Sequence, residues 1–306
     1  MIAVANAPVS YGAFELTVGI NPYVPDGESI LDLVQNAGYR GIDLGPVGYF
    51  GVGDALARNL EKRQLGLAGG YLEIPFHDDE AMARSRVELD EMLDVFDVAR
   101  PVNDRLGVPA PCPTIAVMSL PYRRGVPGRS VTDRSLGYTH DQWTTFARNA
   151  EGVAVACRER GYRAVFHNET GTNVEAPWEF ARVVELTSFD LCLDTGHLIV
   201  GGGDPVEFLR EHADRIAHLH LKSAHINRLQ ALIADGSPVE AIWEKRIFCA
   251  LGEGDLDMPG MSQAIKEVGY DGWIVVEQDI FPDATSLVSA QEDQIRNRNE
   301  LRSLGY

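Results

Sequence analysis

Apolar residues along this chain fall into short runs that alternate with longer stretches in which they recur every three or four positions. The short runs lie at 2–9, 41–45, 65–74, 113–118, 163–168, 189–194, 215–222 and 273–277. The periodic stretches lie near 28–37, 53–64, 79–105, 139–160, 176–188, 204–213, 258–268 and 284–303. Brief apolar runs bounded by turn residues read as buried strands, and the three-to-four spacing reads as amphipathic helix. The pattern therefore predicts eight strands and eight helices in strict alternation, which is the signature of a parallel sheet with helical crossovers. Eight strands close such a sheet into a barrel filled by side chains. The expected fold class is α/β, a single (β/α)8 barrel over residues 1–306.

Punctuation between the elements agrees. Gly38-Tyr39, Gly161-Tyr162 and Gly269-Tyr270 each follow a predicted helix and precede a predicted strand. A glycine there supplies the left-handed residue that ends a helix. Two segments exceed a plain barrel, 119–138 after the fourth strand and 223–256 after the seventh, the latter with a short helix near 238–245. Both would leave the C-terminal face as lids. An open doubly wound sheet is the competing architecture, but it wants a glycine-rich phosphate turn after the first strand. Pro8-Val9-Ser10-Tyr11-Gly12 is not that turn, and Gly201-Gly202-Gly203-Asp204 reads as a plain flexible turn.

Composition narrows the partners. A net charge of −18 argues against nucleic acid and against anionic membranes, because phosphates need Lys and Arg to neutralise them. A small polar ligand suits the chain better. Cys112, Cys157, Cys192 and Cys249 are widely spaced with no CxxC pair, which points to a reducing, cytoplasmic setting. The first residues lack a basic segment of the signal-peptide kind, and no apolar run nears the roughly 18–20 residues that span a bilayer.

Three strand ends carry chemistry. The sixth closes on Leu193-Asp194-Thr195-Gly196-His197, the seventh reads His218-Leu219-His220-Leu221-Lys222, and the eighth ends Val275-Val276-Glu277. Each residue has a plain reading, Asp194 as a helix cap, His220 as a core histidine and Glu277 in a salt bridge. Together at neighbouring strand ends, Asp194, His220 and Glu277 make a divalent cation the better account, with Mn2+, Co2+, Mg2+ or Zn2+ all suited to oxygen and nitrogen donors. A fourth ligand is expected after the fifth strand, where His167, Glu169 and Glu175 compete. Glu175 is assigned to the metal, against an alternative role in a first helical turn. His167 stands where a proton-transfer group would sit. Lys222 shares a strand face with His220, and its alternative is an ion pair with Asp194 or Glu277. His218 lies one layer deeper, as packing or support for the ligands. Tyr11, Asp43, Tyr71 and Glu73 are candidates for the substrate pocket, and Arg123 and Arg124 could meet an anionic ligand.

These strand ends resemble the sugar phosphate isomerase/epimerase-like family, the xylose isomerase-like TIM barrels. The likeness includes Gly38-Tyr39-Arg40-Gly41-Ile42-Asp43-Leu44-Gly45 and Gly252-Glu253-Gly254-Asp255-Leu256-Asp257, and so runs over nearly the whole chain. Within the family the chain is most similar to the inosose dehydratase branch, through Phe166-His167-Asn168-Glu169-Thr170-Gly171-Thr172-Asn173-Val174-Glu175. It departs at Glu169, where that branch would have His. Ketose 3-epimerase relatives carry Glu at the position of His167, so His167 favours elimination over epimerisation.

The resemblance implies a metal-dependent carbon–oxygen lyase acting on a keto-cyclitol or keto-sugar, by proton abstraction beside the ketone and β-elimination. His167, Glu169, His197 and Lys222 would carry the chemistry. Glu175, Asp194, His220 and Glu277 would hold the metal, Mn2+ or Co2+ first, then Mg2+ or Zn2+. Tyr11, Asp43 and Tyr71 would contact substrate. An isomerase or epimerase working through an enediolate is the alternative, and a non-catalytic sugar-binding barrel is the alternative of another class. A metal-dependent apurinic endonuclease on this fold would need a basic face, which a charge of −18 excludes. The long last helix leaves a homo-oligomer open.

Overall fold

All eight expected strands are present in the computed structural model, which describes residues 1–306, all but the fourth shorter than the apolar run that predicts them. They are β1 (Ala3–Asn6), β2 (Gly41–Ile42), β3 in two pieces (Gly66–Leu67 and Gly69–Ile74), β4 (Cys112–Val117), β5 (Val165–His167), β6 (Asp190–Asp194), β7 (Ile216–Leu221) and β8 (Trp273–Val276). Every pairing among them is parallel. The first piece of β3 pairs with β2 and the second with β4, so the interruption at Ala68 is where the sheet closes on itself. Ala68 bridges it by donating to Ile42 O and accepting from Cys112 N–H.

Helices Gly27–Ala37, Asp54–Arg63, Met82–Leu106, His140–Glu159, Pro177–Leu186, Pro205–Glu211, Met258–Glu267 and Ser286–Ser303 form the outer ring. Each strand is followed by one of them, as the alternation predicts. The strands are sealed on both faces, which is why β7 is buried throughout although it reads Ile-Ala-His-Leu-His-Leu. Most of the core is one cluster of 69 buried residues. A second cluster of alanines and valines surrounds Trp273. A Cβ at Gly41 would stand 2.6 Å from the Trp273 ring, so the absence of a side chain there lets the indole in. Its Nε1–H donates to Pro109 O and Ala110 O.

Gly38, Gly161 and Gly269 have φ of 86°, 78° and 65°, the left-handed conformation expected of them. The tyrosine after each is buried. The last helix packs beside the first, with Tyr39 Oη donating to Gln294 O.

The two long segments do not lie apart as separate lids. Segment 119–138 holds the short helix Pro121–Arg124, and segment 223–256 holds Ile226–Ala234, Glu240–Glu244 and the antiparallel pair Ser223–Ala224 with Phe248–Cys249. Val239 N–H donates to Arg124 O at 2.8 Å, Arg129 Nη2 to Ile233 O at 2.7 Å, and Arg124 pairs with Glu240 at 2.9 Å. They form one roof over part of the C-terminal face. Helix Ile226–Ala234 and the short helix Thr195–Val200 come in addition to the expected set. No helix is long and apolar enough to cross a membrane.

Candidate metal centre and active site

His167, Asp194, His220 and Glu277 converge from the ends of β5, β6, β7 and β8, with ligand atoms within 4.8 Å of one another. They are 2%, 0%, 1% and 8% exposed, so water cannot satisfy them freely. His167 Nε2 lies 3.6 Å and His220 Nδ1 3.7 Å from Asp194 Oδ2, and His220 Nδ1 lies 3.3 Å from Glu277 Oε2. Asp194 Oδ2, His167 Nδ1 and both nitrogens of His220 are buried without a hydrogen bond. Buried polar atoms left unpaired are costly. Three such side chains with Glu277 beside them fit a divalent cation as their common partner. Burial opposes ionisation of Asp194 and Glu277, but Lys222 with His197 beside the first, and His220 with Lys222 beside the second, hold both below the usual carboxylate range. Burial keeps His167 neutral. His220 differs: burial opposes its charged form, but Cys192 and Glu277 beside it outweigh burial and raise it well above the usual imidazole value, so it must give up that proton to bind a metal.

The Asp-Thr-Gly-His run explains itself residue by residue. Asp194 divides its carboxylate: Oδ1 caps helix Thr195–Val200 by accepting from His197 N–H at 2.8 Å, and Oδ2 turns into the cluster. The cap and the candidate ligand atom are thus two oxygens of one residue. Thr195 Oγ1 donates to Lys222 O at 2.7 Å and accepts from Lys222 N–H at 2.9 Å, which clamps β6 to the end of β7. A Cβ at Gly196 would stand 2.6–2.9 Å from Lys222 Cγ, Cβ and Cδ, so glycine gives the lysine its channel. His197 then faces the mouth. Its Nε2 lies 3.2 Å from Glu169 Oε1 and 2.9 Å from Lys222 Nζ, and its Nδ1 meets Thr170 Oγ1 at 2.7 Å.

Lys222 is 1% exposed, with Nζ 3.2 Å from Asp194 Oδ2, 2.9 Å from Glu277 Oε2 and 2.8 Å from Asp279 Oδ1. Burial disfavours the ammonium, but these carboxylates overcome it and keep the lysine charged. The ion pair weighed for Lys222 is present with both Asp194 and Glu277, and Asp279 joins it as a third partner. Asp279 escaped the sequence reading. The available signal was its place two residues after Glu277, which continues the strand's alternation past its end. Burial pushes Asp279 up to about 6. Glu169 lies between His167 and His197, with Oε2 3.7 Å from His167 Nδ1, and burial raises it well above the ordinary carboxylate value.

Several assignments are corrected. Glu175 does not join the cluster: Oε1 accepts from Gly128 and Gly171 N–H, each at 2.9 Å, and Oε2 from Ser130 Oγ at 3.0 Å and Arg123 Nη2 at 3.3 Å. Its lone pairs are committed, and His167 stands at the fourth corner in its place. Arg123 meets no ligand, being fully buried between Glu175 and Glu179, and Arg124 is tied to Glu240. Asp43 lies behind His220 rather than in the substrate pocket, with Oδ2 3.7 Å from His220 Nε2, and burial pushes it up to about 7. Tyr11 is packed in the main core at 1% exposure. Tyr71 is the pocket candidate that does approach the centre, its ring 5.6 Å from that of His167 and its hydroxyl donating to Glu73 Oε1 at 3.1 Å. His218 is buried with neither nitrogen hydrogen-bonded, and burial holds it neutral.

Known proteins share this arrangement of elements. The chain is 33% identical over 162 residues to inosose dehydratase of Lacticaseibacillus casei, covering 52% of this chain and 54% of that protein, so it spans about half the length of that relative. It is 30% identical over 258 residues to the rhizopine catabolism protein MocC of Rhizobium meliloti, covering 83% of this chain and 75% of that one. In structure it is similar to the IOLI protein, solved with a zinc atom, at a TM-score of 0.67 and 12% identity over 99% of this chain and 97% of that one. The xylose isomerase-like TIM barrel family model matches residues 31–297, and the chain belongs to that family.

Proposed function

We propose that this protein is a metal-dependent lyase that takes a proton from the carbon beside the ketone of a keto-cyclitol or keto-sugar and expels a β-hydroxyl or β-glycosidic oxygen. The observation that carries this reading is the buried set His167, Asp194, His220 and Glu277 directly beside the group Glu169, His197 and Lys222. Relatives named inosose dehydratase and rhizopine catabolism protein support a cyclitol as substrate class. A divalent cation on the four ligands, Mn2+ or Co2+ first, would supply positive charge at the ketone and so acidify the neighbouring C–H bond.

The chain's own residues divide the remaining work. With His167 among the metal donors, Glu169 becomes the base. Its side chain is 19% exposed, the most open of this group, and burial raises its affinity for a proton well above that of an ordinary carboxylate. The C–H pair becomes the new C=C bond as the β C–O bond breaks. Lys222, with His197 against it, faces that departing oxygen, offsets its charge and supplies its proton. Thr170 fixes the His197 ring, Phe248 covers it at 5.0 Å between centroids, and the roof above excludes water.

Protein loaded with Mn2+ or Co2+ and mixed with 2-keto-myo-inositol or a 3-keto-glucoside should form an ultraviolet-absorbing enone or dione. Isomerised sugar with no loss of water or aglycone would overturn the reading. Epimerisation through an enediolate is the second reading, favoured by the presence of two mouth carboxylates, Glu169 and Glu277. It would return a solvent proton to the opposite face, so in heavy water the product would gain one deuterium and lose neither water nor aglycone.

A further inference from the structure

Below the rim, the same two imidazoles meet a thiol. Cys192 lies two residues before Asp194, on the same face of β6 and one layer deeper. Its register partner on β5 is His167. The ligand atoms of His167, Cys192 and His220 lie within 4.8 Å of one another, and all three residues are 2% exposed or less. His167 Nδ1 and both His220 nitrogens have no hydrogen-bond partner. Around a tetrahedral ion with metal–sulfur and metal–nitrogen distances of about 2.3 and 2.0–2.1 Å, neighbouring donors stand roughly 3.3–3.6 Å apart. The three donors thus need to draw in by no more than about 1.5 Å.

We propose that His167 and His220 serve two mutually exclusive cation seats, an outer one completed by Asp194 and Glu277 for oxygen-preferring ions, and an inner one completed by Cys192 for thiophilic ions such as Zn2+ and Cd2+. The proposal rests on reading the outer set as a metal centre. Thiolate donors select soft ions and carboxylates select hard ones. An ion entering the inner seat releases the thiol proton to solvent and takes both imidazoles from the outer set. Asp194 and Glu277 are not then left uncompensated, because Lys222 Nζ already stands 3.2 and 2.9 Å from them. The inner ion is out of line with Glu169 and Lys222, so a thiophilic metal holds the protein in a silent form that an oxygen-preferring metal must displace.

The test titrates Mn2+-loaded protein with Cd2+, following the ultraviolet thiolate-to-cadmium charge-transfer band and the magnetic resonance signal of released Mn2+. The expected result is a band that grows in step with Mn2+ release, one ion for one. Cys192→Ser should lose the band and weaken Cd2+ binding while still binding Mn2+. A triple variant with Cys112, Cys157 and Cys249 changed to Ser keeps Cys192 and should retain both signals, which decides the matter even where Cys192→Ser does not fold. Mn2+ release without a thiolate band, a band without Mn2+ release, or loss of the band in the triple variant would each overturn the proposal. Failure of the proposed function reads differently: metals would then exchange as described while no enone forms.

Discussion

His167 Nε2 lies 3.6 Å from Asp194 Oδ2, while Nδ1 of the same ring faces Glu169. One histidine therefore links the proposed metal set to the proposed base. His167→Ala should abolish stoichiometric Mn2+ binding, whereas Glu175→Ala should leave metal content per folded molecule unchanged. The second variant should instead lose about 3–5 kcal/mol of stability, because Arg123 would remain buried with half its charge partners gone. Metal analysis and urea unfolding separate the two. Loss of metal from folded Glu175→Ala would restore Glu175 as a ligand.

Asp43 stands 3.7 Å from the nitrogen of His220 that faces away from Asp194 and Glu277. A carboxylate in that position fixes the tautomer and raises the basicity of a liganding imidazole. Asp43→Asn should weaken Mn2+ by about 10–100-fold with the fold intact, measured by calorimetry. An unchanged affinity would remove Asp43 from the metal's support.

Lys222 is the ammonium shared by three buried carboxylates, Asp194, Glu277 and Asp279. Lys222→Met should destabilise the metal-free protein by about 3–5 kcal/mol, since it strands buried charge. Mn2+ should then raise the melting temperature of the variant more than that of the wild type, and turnover should be lost in both metal states. Equal thermal shifts would show that the ammonium is not the carboxylates' counter-cation.

On the outer wall, Tyr162 Oη donates to Asp97 at 2.6 Å, and this bond with Arg160 holds the Asp97 carboxyl below its usual value. A lowered folded value means stability that is present above the unfolded value of about 3.9 and lost as pH falls through the folded one. Asp97→Asn should be less stable at pH 7 by about 0.5 kcal/mol, the scale of an exposed pair. The difference should vanish toward pH 2 in chemical unfolding experiments. A difference that persists in acid would trace to packing instead.

The barrel was legible because its elements print periodicity. Strands such as β1, β7 and β8 are buried on both faces and sit in apolar runs, and Gly38, Gly161 and Gly269 are required by a left-handed backbone. Asp194, His220 and Glu277 stood out because a charged or imidazole side chain closing such a run has no apolar reason to be there. The choice among His167, Glu169 and Glu175 was not legible. All three lie within nine residues in an irregular segment, where no period fixes which way a side chain points.

By itself, then, the chain's pattern determined the alternation, the closure at eight strands and three corners of the proposed metal set, because these follow from local period and from polar residues at strand ends. Tertiary structure alone decided the fourth corner. Glu175 is claimed by Arg123, Gly128 and Ser130 from the preceding loop, contacts that join residues about fifty positions apart. It likewise moved Asp43 behind His220 and drew Asp279 to Lys222. Which donor saturates which acceptor depends on how loops from different strands meet across the barrel mouth, and no local spacing records that.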